Sequence, residues 1–202
     1  MSAVVRIVHP SEVAPEPWAN GGGHTRTLIA WPDSRHWGLR ISVADVEAAG
    51  PFSVFPGVDR WFAVLDGDGV RLRTAGRASV VVLAADEAMH TFPGDEATDC
   101  ELLGGPTRDL NVMRRRLDAT VTIRSLRSAV ELCSQAQGLG CFAGDAVELA
   151  TGPGPRHALP RHALAWLDNP ARATQDWRVN APAPRGWWIE VCRSGADDDQ
   201  AD

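Results

Sequence analysis

The stretch Arg60-Trp61-Phe62-Ala63-Val64-Leu65-Asp66-Gly67-Asp68-Gly69-Val70-Arg71-Leu72-Arg73 holds two apolar runs separated by two Asp-Gly pairs. Asp-Gly tolerates positive φ, so the stretch reads as a β-hairpin joining two strands. Similar short runs lie on either side: VVRIV at 4–8, TRTLIA at 25–30, WGLRISV at 37–43 and SVVVLA at 79–84, punctuated by Gly, Pro and Asp. That spacing belongs to a β-sandwich or barrel rather than to βαβ units. After Leu117 the pattern restarts with ATVTIRSL, GDAVELA at 144–150, HALAWLD at 162–168, DWRVN at 176–180 and GWWIEVC at 186–192. The best candidate for a few helical turns is 126–137, LRSAVELCSQAQ. The chain is therefore expected to be all-β, with a first barrel over 1–117, a second, divergent barrel over 118–195, and a disordered acidic tail over 196–202.

Within 37–43 the alternation puts Trp37, Leu39, Ile41 and Val43 on a core face. Gly38, Arg40 and Ser42 fall on the other face, which is open to solvent or to a binding cavity. The 202 residues carry 26 acidic and 20 basic side chains, all of the latter arginine, for a net charge of −6. That balance argues against nucleic acid or an anionic membrane surface as the main partner. Cys100, Cys133, Cys141 and Cys192 form no C-x-x-C pair. With no secretory leader or membrane-length apolar run, they read as buried thiols in a cytoplasmic protein.

All-β chains of this kind invite comparison with the cupins, whose first motif, G-x5-H-x-H-x3-E-x6-G, holds a metal through two histidines and a glutamate. Anchoring its last glycine on Gly67 puts Arg60 at the glutamate position and Pro56 and Val54 at the histidine positions. None of these ligates a divalent cation, and a guanidinium repels one. His9, His24, His36, His90, His157 and His162 show no metal-ligand spacing, there is no G-x-S-x-G elbow, and GDGVRLRTAG opens no helix. The expectation is no metal and no cofactor.

Guanidinium and small hydrogen-bonding groups are instead concentrated in the first half: Asn20, Thr25, Arg26, Arg40, Ser42, Asp59, Arg60, Asn111 and Arg114. An arginine at a metal-ligand position exchanges a cation site for an anion site, because its planar fork matches a carboxylate. The competing reading makes Asp59 with Arg60, and Asp109 with Arg108 or Arg114, structural ion pairs at strand ends. Gly21, Gly22 and Gly23, between Trp18 and Arg26, either cradle an anion with successive backbone N–H groups or simply turn the chain. Trp18 either walls a pocket or staples this loop, and Trp31, Trp37 and Trp61 read as core.

The ordered motifs PWANGGGHTR, WGLRISVADVEAAGPFSVFPGVDRWFAVLDGDGVRL and FPGDEATDCELLGGPTRDLNVMRRR resemble the HutD/Ves family, most specifically over 17–116. The resemblance implies a double-stranded β-helix (the cupin jelly roll) in a double-barrel, bicupin-like arrangement. It also implies a metal-free, non-catalytic regulator of histidine utilisation that binds a small acidic metabolite such as N-formylglutamate. Asn20, Gly21, Gly22, Gly23, Thr25, Arg26, Arg40, Ser42, Arg60 and Asn111 carry over as ligand-binding residues. Two alternatives stand beside this reading. One is a metal-free cupin isomerase or epimerase using Asp59, His24 or His90 for proton transfer. The other is a Ves-like stress-induced protein with an interaction role, including homodimerisation through a sheet edge.

Overall fold

A computed structural model describes residues 4–77, 80–85 and 88–195; the predicted tail over 196–202 lies outside the described residues. The chain runs through β1 (Arg6–Val8), β2 (Glu16–Pro17), β3 (Gly23–Trp31), β4 (Leu39–Val46), β5 (Gly50–Pro51), β6 (Val58–Asp66), β7 (Val70–Thr74), β8 (Val80–Leu83), β9 (His90–Pro93), β10 (Thr98–Leu102) and β11 (Thr107–Arg115). It continues through β12 (Ala119–Ser125), β13 (Glu131–Ser134), β14 (Gly138–Ala143), β15 (Val147–Thr151), β16 (Arg156–Leu159), β17 (Leu164–Asp168), β18 (Gln175–Asn180) and β19 (Gly186–Arg193). Among the described residues helix is confined to a 3-10 turn at Pro10–Glu12. Among the described residues no helix is long and apolar enough to cross a membrane. The few helical turns expected over 126–137 are absent: Ser125 to Ser128 form a turn and β13 follows.

Among the described residues two compact units result, one of Val13–Leu117 and one of 118–195 together with 4–12. The opening strand, expected to belong to the first half, pairs with the second: β1 lies antiparallel to β17, with Ile7 opposite Ala165. Each unit is a pair of antiparallel sheets, the jelly-roll form of the double-stranded β-helix. In the Val13–Leu117 unit these are a six-stranded sheet in the order β2-β3-β4-β11-β6-β9 and a four-stranded sheet in the order β5-β10-β7-β8. The other unit holds β1-β17-β14-β19-β12 and β13-β18-β15-β16.

The 60–73 stretch does not form the expected hairpin. β6 pairs with β11 and β9, whereas β7 pairs with β10 and β8, so the two Asp-Gly pairs carry the chain from one sheet to the other. Gly67 and Gly69 still take positive φ, at 101° and 104°. Asp-Gly chemistry bends the chain; it does not choose the partner strand.

Between the two sheets of this unit, Val46, Phe62, Val64 and Phe92 meet Val70, Leu72, Leu83 and Cys100 in one apolar cluster. A fully buried side chain of this size contributes about 1.5–3 kcal/mol, so the cluster holds the sheets together without a staple. Leu39, Ile41 and Val43 are fully buried, as alternation requires. Trp37 is also buried but breaks the pattern. It precedes β4 and packs with Val58, Met113 and the Arg40 guanidinium, on the side alternation assigns to Arg40. In the Asp118-onward unit Trp177 and Trp188 meet edge to face at 6.3 Å within the apolar cluster. The four cysteines are free. Cys100 and Cys141 are buried as expected and Cys192 is half-buried, but Cys133 is exposed.

Candidate functional site

The inner face of the six-stranded sheet opens into a cavity of about 430 Å³, within the Val13–Leu117 unit. Its floor follows from strand register. Met113 on β11 is opposite Arg40 on β4 and Arg60 on β6, so the three residues form a row across the sheet. The adjacent row is Ser42, Asn111 and Phe62. All six line the cavity, because residues two apart on a strand share a face. Thr25 adds a hydroxyl, Trp18, Phe52 and Phe55 form the walls, and Glu16 lies at the exposed end.

Arg60 is 5% exposed and donates from Nη2 to Asn111 Oδ1 at 2.8 Å. Arg40 donates from Nη2 to the Met113 thioether at 3.2 Å. The Nε of each is buried without a hydrogen-bond partner. Neither guanidinium has a carboxylate within ion-pair distance among the described residues. Burial, with the Arg40 charge adding to it and Cys100 opposing, pushes the Arg60 pKa down to about 10. Burial lowers that of Arg40 too, against the opposing charge of Glu16. Both nonetheless remain cations at neutral pH. Aromatic faces offset part of the desolvation: Arg60 Cζ is 4.9 Å from the Phe52 ring centroid and 5.0 Å from Phe92, and Arg40 is 5.1 Å from Trp37. Such contacts give about 0.5–2 kcal/mol each, against several kcal/mol for each desolvated ion, so an unmet demand for an anion remains.

The glycine loop meets the cavity only through Ala19 and Asn20. Gly21, Gly22 and Gly23, expected among the ligand-binding residues, do not line it. Their backbone serves the loop instead. The Gly21 N–H donates to the Trp18 carbonyl, the Gly22 N–H to Asn20 Oδ1, and the Gly22 carbonyl accepts from Glu47 and Ala48. Gly21 takes φ 69°, and a Cβ at Gly23 would run into the Asp45 carbonyl oxygen. These glycines therefore answer to turning and close packing, and no anion nest forms from them. Trp18 does both things considered for it: it walls the cavity and staples the loop, donating from Nε1 to Thr25 Oγ1 at 2.8 Å.

Arg26, also expected in the pocket, points away from it. It is opposite Val43 on the reverse face of the sheet and pairs with Asp45. Arg108 Nε at 2.6 Å and His24 Nε2 at 2.8 Å converge on the same carboxylate. Burial raises the Asp45 pKa, but the hydrogen bonds and charges of Arg108 and Arg26 prevail and hold it below the ordinary value. Asp59 pairs with Arg114 and Arg116 rather than with Arg60. Asp109 accepts from Thr107 rather than pairing with an arginine. The three residues considered for proton transfer, Asp59, His24 and His90, all lie outside the cavity lining, and His90 stacks on Phe92.

A family model for HutD matches residues 10–183. The chain belongs to the HutD family. It is 42% identical over 101 residues to a 21.2 kDa protein in the hutC 3′ region of Pseudomonas putida, covering 48% of this chain and 51% of that one. It is 38% identical over 100 residues to protein Ves of Cronobacter sakazakii, covering 49% of this chain and 54% of that one. The chain thus spans about half the length of the curated relatives it matches. Among solved structures it is similar to HutD from Pseudomonas fluorescens SBW25 in a formate condition, with TM-score 0.83 and 25% identity over 95% of this chain and all of that one. Likeness to an oxalate decarboxylase of Bacillus subtilis, at TM-score 0.59 and 8% identity, shows the cupin fold alone.

For this HutD family member the cupin metal positions do not fit a metal. Val54 is 48% exposed, Pro56 is exposed, and Arg60 brings a buried cation where a ligand carboxylate would be needed. Among the described residues no three His, Cys, Asp or Glu side chains cluster to hold an ion. Sequence reading missed Glu16, Phe52, Phe55, Phe62 and Met113. Phe62 and Met113 were within reach, since they share strand parity with Arg60 and Asn111. Phe52 and Phe55 sit in a loop where no periodicity operates.

Proposed function

We propose that the protein is a non-catalytic, metal-free binding protein of histidine utilisation whose Val13–Leu117 barrel holds a small acidic metabolite, N-formylglutamate being the ligand of choice. The carrying observation is the pair Arg60, buried, and Arg40, half-buried, in one row across the sheet on either side of Met113, neither with a carboxylate within ion-pair distance and each with an unpartnered Nε. Ser42, Thr25 and the Asn111 amide add neutral donors to the same space. A dicarboxylate with an amide supplies acceptors for this set, and its binding relieves the desolvated charges. Membership of the HutD family, and the hutC-region location of the P. putida relative, support the pathway assignment.

Titration calorimetry with N-formylglutamate tests the reading. Saturable heat is expected from the wild-type protein, lost in Arg60→Ala and retained in Arg26→Ala, whose side chain lies on the reverse face. A parallel thermal-shift measurement should show stabilisation, about 2.7 kcal/mol at a hundredfold excess over Kd. Absence of heat from the folded wild-type protein, or equal loss in both variants, refutes it.

A further inference from the structure

Donors dominate the cavity lining: two guanidiniums, the Asn111 amide nitrogen, and the hydroxyls of Ser42 and Thr25. The one carboxylate in the lining is Glu16. It sits on the two-residue strand β2, opposite Thr25, so the backbone fixes it at the rim. Its carboxylate has no hydrogen bond or ion pair among the described residues, yet it is close enough for its charge to act on Arg40. An ionised carboxylate only accepts hydrogen bonds. The cavity is therefore polarised, with two guanidiniums on the floor and a lone carboxylate at the mouth.

We propose that Glu16 is a specificity-determining residue, which makes the site select acids carrying an N–H beside their carboxylates over bare dicarboxylates of the same length. This rests on the acid-binding reading above. The inner donors hold carboxylates whatever else the ligand carries. At the mouth, an amide or ammonium N–H meets a carboxylate that has no hydrogen bond or ion pair among the described residues. Both kinds of acid bring the same two negative charges toward Glu16, and only the one with an N–H there offsets that repulsion with a hydrogen bond. Selection at such a point is the difference between the two affinities. Glu16 is exposed, so water screens the effect and its size is modest.

The experiment compares N-formylglutamate with glutarate, which has the same five-carbon dicarboxylate chain and no N–H. Both are titrated into the wild-type protein, Glu16→Gln, Glu16→Ala and Arg60→Ala. The expected result is a wild-type preference for N-formylglutamate that shrinks about threefold in Glu16→Ala, where the acceptor is lost, and is largely kept in Glu16→Gln, whose amide oxygen still accepts an N–H, while Arg60→Ala weakens both acids. A preference that stays unchanged in Glu16→Ala, with both acids shifted by one common factor, overturns the role of Glu16 and leaves the acid pocket standing. Failure of both acids to bind the folded wild-type protein overturns the pocket reading and this one with it.

Discussion

Replacing Asp109 by Asn should make the protein progressively more stable relative to wild type as pH rises. Asp109 is fully buried on β11; Thr107 Oγ1 donates to its Oδ2 at 2.9 Å, while Oδ1 is buried without a partner. Burial pushes its pKa up to about 8; the Thr107 hydrogen bond opposes this, and the Asp45 charge reinforces it. In the unfolded chain the group titrates near 3.8, so between these values the folded state holds a proton that the unfolded state has released. The stability associated with that proton is complete below about pH 4 and is lost as pH rises toward 8. At about 1.4 kcal/mol per pH unit, the loss reaches about 2 kcal/mol at pH 5, 4 at pH 7 and 6 at pH 9. Asn keeps an acceptor for Thr107 and never ionises. Its second amide proton costs about 1–3 kcal/mol if left unsatisfied, but that term does not vary with pH. Urea unfolding followed by tryptophan fluorescence at pH 5, 7 and 9 should therefore show the wild-type-to-variant difference moving by about 4 kcal/mol in the variant's favour. Parallel pH curves for the two proteins would refute the assignment of a neutral, buried Asp109.

Two further substitutions separate scaffold from site. Asp45→Ala leaves Arg26, Arg108 and His24 without their shared acceptor. It should destabilise the protein by about 2–4 kcal/mol in urea unfolding, while N-formylglutamate affinity measured on the folded fraction stays within about twofold; a selective loss of binding would place the network in the site. Gly23→Ala forces a Cβ against the Asp45 carbonyl at φ 158° and should cost at least about 2 kcal/mol, whereas Gly21→Ala, with open space around it at φ 69°, should cost about 1 kcal/mol. Equal melting shifts for the two would count against the packing role given to Gly23.

What the sequence made legible depended on whether a residue sat inside a regular strand. Arg40, Ser42, Arg60 and Asn111 lie in β4, β6 and β11, where period-two alternation operates, and all four face the cavity. The same rule exposes the error at Arg26: adjacent residues of a strand face opposite ways, so Thr25 and Arg26 could not both line one pocket. Trp37 was misplaced for the complementary reason, since alternation was carried past Leu39, where the strand begins. The glycines were misread because composition records how many backbone N–H groups a loop has, not which of them its own carbonyls and Asn20 already occupy. Sheet partners lay further out of reach. A turn motif fixes local dihedrals, whereas the assignment of β6 and β7 to different sheets depends on strands far along the chain, Val58 pairing with Arg115.

Arg60 places a cation on the inward face of β6, where the cupin metal motif anchored on Gly67 calls for a carboxylate. A guanidinium there reverses the sign of what must be met. Cation–π contacts with Phe52 and Phe92, together with one hydrogen bond to Asn111, make that burial tolerable but do not neutralise it. Arg40, aligned with Arg60 through Met113, compounds the demand, because its charge lowers the pKa of Arg60 rather than shielding it. A fold under selection for stability alone would replace such a pair with apolar residues, often at a gain of about 1–4 kcal/mol. That both arginines face a cavity open to solvent, rather than a closed core, is what an anion-binding role requires and a purely structural one does not.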